Sequence, residues 1–204
     1  VGIRPLAYDE DEFYKGTSLM ISLARSAIVC FALTASFTIQ AQTPVTNRAI
    51  TEAEVLAAQK GWCEALVNIS NEYDKNGQAA AKKMAEQAID GAYGYQLGPV
   101  LFKPTLAEKP QVFRLTRAGA LAYFVGGDPA FPKDKGFALK GWTKCEIKNA
   151  GIFITGNTAL TIGNVDFTDK TNKLTVVDKT WGFVKGDDGR IRIVLHHSSI
   201  PYGQ

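Results

Sequence analysis

Histidine is nearly absent: the 204 residues hold two, adjacent at His196 and His197. A three-histidine metal site therefore cannot be built from this chain. Neighbouring residues on a strand point to opposite faces, so the pair cannot easily share one ion either. Cysteine is scarce, with three residues in all. Charge of one sign is scarce too. The net charge is +3 with no run of five like charges, which is too mild and too evenly spread for a nucleic-acid binder. Internal repeats and low-complexity tracts are missing, so solenoid and disordered classes drop out. Carboxylates alone could hold a hard metal, but the Asp and Glu residues fall mainly in turns and on an outer helix face, without ligand-like spacing. The inventory favours a site with no metal and no other cofactor, and leaves only a carboxylate-held metal open.

What is present suits one globular domain behind a leader. Apolar residues make up 46% and charged residues 21%, enough for a real core. Met20 opens a segment with Arg25 as its positive end, an apolar run over 26–37, and the small residue Ala41 before Gln42. This is the pattern of a secretory signal peptide over residues 20–41. The run is short for a membrane span, so no stable membrane insertion is expected after processing, and the location expected is periplasmic or secreted. Residues 1–19, with Asp9-Glu10-Asp11-Glu12, read as an upstream extension or a disordered tail, 42–50 as a polar lead-in, and 51–204 as the domain. Cys63 and Cys145 could form one disulfide in an exported chain, or stay as two buried thiols.

Thr51-Glu52-Ala53-Glu54 is a capping box, and Val55, Trp62, Leu66, Ile69 and Tyr73 follow at helical spacing. A helix is expected over 51–74, ended by Asn76-Gly77, with a second over 78–90 stopped by Gly91. Glycine and proline punctuate 91–111, leaving room for a short strand at 100–103. Strands are expected over 112–125, 142–155, 158–167, 173–184 and 190–199, with turns at Gly126-Gly127-Asp128-Pro129, Gly156-Asn157, 169–172 and Asp187-Asp188-Gly189. Helices followed by long hairpin-linked strands make an α+β domain, in which a long helix on a strongly curved sheet encloses a conical cavity.

The stretches Ala92-Tyr93-Gly94-Tyr95, 98–105 (GPVLFKPT), 119–128 (GALAYFVGGD), Asn149-Ala150-Gly151-Ile152-Phe153, 178–183 (DKTWGF) and 195–201 (LHHSSIP) follow one another in order across nearly all of 51–202. In this order they resemble the NTF2-like (cystatin-like) superfamily, in the branch of the calmodulin-kinase-II association domain, and within it the iota class of carbonic anhydrases. The resemblance implies an NTF2-like cone with a long N-terminal helix on a curved antiparallel sheet. It implies a carbonic anhydrase of a class with metal-free members, carbon dioxide and bicarbonate as its partners, and a homodimer or higher oligomer.

Hydration of carbon dioxide needs an apolar slot, donors for the bicarbonate oxygens and a route for a proton. Carried over motif by motif, the resemblance points to Thr105, Tyr123, His196 and Ser198 around bicarbonate. Phe102, Phe124 and Trp181 are candidates for the apolar lining. Hydroxyls donate to an anion at about 1.5–3 kcal/mol each, and histidine is the side chain here suited to moving a proton near neutrality. Each assignment has a structural rival: Tyr123 as a core tyrosine on an apolar strand, Thr105 as a turn cap after Pro104, and Lys103, which could help hold an anion, as a solvated lysine. His197 and Ser199 form the alternative face, which simple alternation continues from Ile191, Ile193 and Leu195. Two other functions stay in play on the same fold. One is a non-catalytic oligomerising or ligand-binding module. The other is an isomerase or cyclase, which would want Asp90, Asp166 or Asp178 as a buried base.

Overall fold

The structure, a computed structural model, describes residues 48–203. The leader expected at 20–41 and the stretch before it lie outside the described residues, and the lead-in is described only from residue 48. Helix α1 spans Glu52–Ala92. Thr51 caps it: its hydroxyl accepts from the Glu54 amide at 3.2 Å, while the Glu54 carboxylate accepts from the Thr51 amide at 2.9 Å. The break expected at Asn76-Gly77 is a kink inside one helical run, with Gly77 at φ 77°, a conformation glycine adopts without a Cβ penalty. The buried stripe is Val55, Gln59, Trp62, Cys63, Leu66 and Ile69.

The sheet contains β1 (Leu101–Lys103), β2 (Trp142–Thr155), β3 (Thr158–Asp169), β4 (Leu174–Lys185) and β5 (Ile191–Ser199), in the order β1-β5-β4-β3-β2. Pairing is antiparallel except between β1 and β5, which run parallel. The four long strands fall within two residues of their expected bounds, because each is closed by a turn with a clear sequence signal.

The expected strand over 112–125 is a correction. Its second half is helix α2, Arg117–Val125, capped by the Thr116 hydroxyl accepting from Gly119 N at 3.2 Å and ended by Gly126 at φ 64°. Ala122, Tyr123, Phe124 and Val125 are buried in succession, so the helix is apolar nearly all round and shows no amphipathic period. Tyr123 and Phe124 therefore sit on a helix, not a strand. A 3-10 turn at Phe137–Leu139 packs beside it, with the Phe137 and Tyr123 rings stacked at 5.5 Å.

The concave face of the sheet takes α1. Trp62 meets Phe124, Phe167 and Trp181 at ring distances of 5.7–6.4 Å, contacts worth about 0.5–1.5 kcal/mol each beyond area burial. Two polar fastenings hold the same helix. Gln59 and Asn149 exchange side-chain hydrogen bonds at 2.8 and 2.9 Å, and Gln59 also donates to Thr161. Cys63 is disulfide-bonded to Cys145 with their Cα atoms 5.3 Å apart, which resolves the choice between a bridge and free thiols and ties α1 to β2.

Candidate active site

The last strand sets the site. β5 carries one extra residue opposite β4: Gly182 pairs with Leu195 but Phe183 with Ile193, so Val194 is a bulge. A bulge reverses which side chains face inward. Ile193 and His196 are both 2% exposed and Ser198 is 1% exposed, whereas His197 is exposed. His196 and Ser198 thus face into the cone, and His197 and Ser199 face out. The alternation that continued Ile193 and Leu195 into His197 is broken at Val194.

Three hydroxyls meet inside. Thr105 Oγ1 donates to Ser198 Oγ at 2.5 Å. The Tyr123 hydroxyl accepts from Leu106 N at 3.4 Å. Burial pushes the Tyr123 phenol well up, against the opposing effect of Leu106 and of the Thr105 side chain, so Tyr123 stays a neutral donor. Thr105 is half-buried and forms the rim. Lys103 is held beside it: its Nζ donates to the Ser198 carbonyl at 2.9 Å, and burial lowers its pKa.

His196 lies deeper. Phe102, its register partner on β1, stacks on the imidazole at 4.5 Å and 16°. Trp62 meets it edge-on at 5.4 Å and Trp181 lies at 5.8 Å. Phe124 stacks on Phe102 at 5.8 Å, so the three expected lining residues do surround one place. Both ring nitrogens are engaged: Nδ1 is 2.8 Å from Tyr93 Oη, and Nε2 is 3.0 Å from Lys179 Nζ. Burial holds the imidazole pKa well below 6.5, and Lys179 and His197 press it further down. His196 is therefore a neutral imidazole at physiological pH.

Lys179, Tyr93 and Trp62 complete the arrangement, and sequence reasoning did not place them in the site. Tyr93 follows α1, where a parallel bridge to Ile193 holds it beside β5; its hydroxyl accepts from Trp62 Nε1 at 2.9 Å. Lys179 is 3% exposed, opposite Ser198 in the β4–β5 register. Its Nζ lies 4.4 Å from the Trp62 ring centroid, 5.3 Å from that of Trp181 and 5.5 Å from that of Phe167. These faces favour the cation by about 0.5–2 kcal/mol, yet burial dominates and lowers the ammonium from 10.5 to about 7. A signal for Lys179 does exist in the sequence: Val177, Lys179, Trp181 and Phe183 recur at period two, which places the lysine on an apolar face.

No carboxylate bonds His196 or Lys179 among the described residues. Asp90 pairs with Arg117, Asp166 with Lys148, and Asp178 accepts from Asn164. The buried Asp134 is held by Arg114 through bonds of 2.8–3.1 Å. Asp134 and Glu108 line a hollow with Tyr123, but Asp134 is tied up by Arg114 and so is not the free base that an isomerase would need. Nor do three His, Cys, Asp or Glu side chains converge anywhere among the described residues.

A helix laid across a curved sheet, with neutral hydroxyls and a neutral imidazole on its inner side, defines an α+β cone of the NTF2-like type. The cone is shared with a protein of Xanthomonas campestris described as a calcium/calmodulin dependent protein kinase II association domain. That structure matches at 22% identity over 80% of this chain and all of its own, with a TM-score of 0.50, which shows the fold alone. The chain belongs to the metal-independent carbonic anhydrase family, whose model matches residues 53–200. It is 69% identical over 163 residues to a metal-independent carbonic anhydrase of Nostoc sp., covering 80% of each chain. It is also 69% identical to an iota-carbonic anhydrase from a cyanobacterium, solved in complex with bicarbonate. That match covers 80% of this chain and 99% of the other, with a TM-score of 0.77. The family and the fold expected from the ordered motifs are therefore the ones found.

Proposed function

We propose that the chain interconverts carbon dioxide and bicarbonate inside the cone, with Thr105, Tyr123 and Ser198 as the donors that hold the anion. Phe102, Phe124 and Trp181 form the apolar wall and His196 handles the proton. The observation that carries this reading is the 2.5 Å contact of Thr105 and Ser198 beside the buried Tyr123 hydroxyl, in a chain of this family. The solved relative's bicarbonate supports the choice of ligand. In the hydration direction, negative charge develops on oxygens that neutral hydroxyls already face. Such pre-aimed donors contribute more in a pocket shielded from water than in bulk. His196 is buried with both nitrogens engaged, so it passes a proton through Tyr93 and Lys179 and does not collect one from bulk water. Stopped-flow hydration, run with and without a chelator, tests the reading. Equal rates in both conditions are expected; absence of hydration in both would overturn it, and loss with chelator alone would overturn the metal-free part.

The resemblance also implies a homodimer or higher oligomer, and the outer face of the sheet fits a second copy. By register, Phe153, Leu160, Gly182, Leu195 and Leu101 form one row across all five strands, with Ile162 in the next. Phe153 is 62% exposed and Ile162 59%. A contiguous apolar stripe of this kind is characteristic of an interface. The Cys63–Cys145 bridge supports the periplasmic or secreted location, because such bonds persist in oxidising compartments.

A further inference from the structure

Trp62, Tyr93, His196 and Lys179 form one unbroken line of hydrogen bonds, and its direction can be worked out. An indole nitrogen only donates, so Tyr93 Oη accepts from Trp62. The hydrogen bonds of Tyr93 Oη among the described residues run to Trp62 and to His196 Nδ1. Its own proton therefore points at Nδ1. A neutral imidazole accepting at Nδ1 carries its proton on Nε2, and that N–H points at Lys179 Nζ, 3.0 Å away. A nitrogen that accepts has a lone pair, and an ammonium has none. Complete satisfaction of the line thus requires Lys179 as a free amine. With the lysine charged, both bonds of the imidazole reverse while Trp62 still donates: Nζ donates to Nε2, Nδ1 donates to Tyr93, and the Tyr93 proton is left without a partner in the line.

We propose that Lys179 stores the proton that hydration releases, acting through His196, and that the imidazole changes tautomer without ever becoming imidazolium. The attacking water, as its oxygen bonds to the carbon of carbon dioxide, gives up a proton to Tyr93 Oη; Tyr93 passes its own to Nδ1 and Nε2 passes its own to Nζ. One proton enters, Tyr93 and His196 end neutral, and Lys179 ends as the ammonium. Once bicarbonate has left, the reverse sequence passes the proton back through Tyr93 Oη to water entering the emptied site, which restores the starting state. Lys179 is thus a positioning and proton-storing residue. This deepens the carbonic anhydrase reading and rests on it for the source of the proton.

The surroundings suit that role. The groups packed against Nζ are His196 from β5, Trp62 from α1, Phe167 from β3 and Trp181 from β4. Of these only His196 is titratable. Asp178, next to it in sequence, faces the opposite side and binds Asn164, and Asp166 binds Lys148. Lys103 is directed at the Ser198 carbonyl. With no carboxylate to hold the charge, burial brings the lysine to about 7, where gain and loss of a proton are both easy.

The chain's two histidines make the test direct. With the His197→Ala variant as the assignment control, 15N NMR of the imidazole nitrogens reads the His196 tautomer without turnover. Expected is an Nε2–H form above neutrality that converts to Nδ1–H as pH falls through about 7, with the two nitrogens never protonated together. Lys179→Arg should fix the Nδ1–H form at every pH. Lys179→Met should abolish the tautomer change and cut hydration about a hundredfold, with loss of the neutral inflection in its pH profile. An Nδ1–H form at all pH in the wild type would overturn the proposal, as would an imidazolium, or a Lys179→Met variant with the wild-type pH profile. Absence of hydration with the tautomer change intact would instead strike the carbonic anhydrase reading. A Lys179→Met chain that fails to fold leaves the wild-type spectrum to decide.

Discussion

The two faces of β5 carry the same residue types in the same order, and they differ in every physical respect. Inside, His196 and Ser198 are almost fully buried: the imidazole is stacked on aromatic rings and bonded to Tyr93 and Lys179, and Ser198 is bonded to Thr105. Outside, His197 and Ser199 border a shallow hollow with Asn164, Asp178, Thr180 and Ile162, beside an apolar stripe. The chemistry available to a side chain is therefore set less by its identity than by what the opposite layer supplies. On the inner face α1 contributes Trp62, and Tyr93 follows at its end; together they desolvate the histidine and occupy its nitrogen. No element covers the outer face among the described residues, so its histidine remains an ordinary surface group.

The largest effect expected from this difference is catalytic. Ser198→Ala and Tyr123→Phe each remove a donor from the inner pocket, and loss of one pre-aimed donor typically costs about 10²–10³ in rate. The same change on the other face, Ser199→Ala, should leave hydration unchanged. Stopped-flow assays of the three variants compare the faces directly. Equal losses from Ser198→Ala and Ser199→Ala would erase the distinction.

Stability offers the next test, because the inner face holds a lysine where the outer face holds only solvated charge. The folded pKa of Lys179 is depressed, so between about 7 and 10.5 the unfolded chain binds a proton that the folded chain does not. Stability must then rise with pH across that window. Below it, both states are protonated and the folded state bears the full cost of the buried charge. Lys179→Met should thus be the more stable chain at pH 7, by an amount on the order of 4 kcal/mol, with the gap closing towards pH 10.5. Denaturant melts of both chains at several pH values check this. A gap that does not narrow would show that the lysine is not desolvated as its surroundings require.

The outer stripe yields a smaller and separable change. Ile162→Asp adds a charge at an exposed apolar position, which should disrupt association with a second copy while the inner site keeps its geometry. Sedimentation is expected to show a shift to monomer in the variant, with a pH profile of hydration like that of the wild type.

Much of this was legible in the sequence, for identifiable reasons. β2 to β5 were legible because the turns between them carry their own chemistry, such as Gly156-Asn157, where Gly156 takes φ 54°. The capping box and the Gly77 kink were legible for the same reason. Thr105, Tyr123, His196 and Ser198 came from the ordered resemblance, and the structure brings Thr105 to Ser198 and to Tyr123. α2 was hidden because a helix buried on all sides has no polar phase. The facing of β5 was hidden because a bulge leaves no mark in an apolar run: nothing in Ile193-Val194-Leu195 says that Val194 is the extra residue. Lys179 is hidden for a different reason. Its period-two neighbours Val177, Trp181 and Phe183 did announce an inward face, but a lone lysine beside an aspartate reads as surface until the sheet is closed over it.

The smallest expected effect is the most discriminating. His197→Ala removes one of the chain's two histidines from an exposed position on the outer face. Surface substitutions away from caps, cores and networks usually fall within about 0.5 kcal/mol. His197 is paired in register with Thr180 and Lys103, and it adds positive potential near His196, pressing that imidazole pKa down. Its removal should therefore leave stability nearly unchanged and let the His196 pKa rise slightly, still far below neutrality because burial is the larger cause. The hydration rate near pH 7 should match the wild type, since the inner line of hydrogen bonds is untouched. A large loss of activity in His197→Ala would mean that the outer histidine reaches the reaction, and the division of β5 into a chemical face and a supporting face would fail.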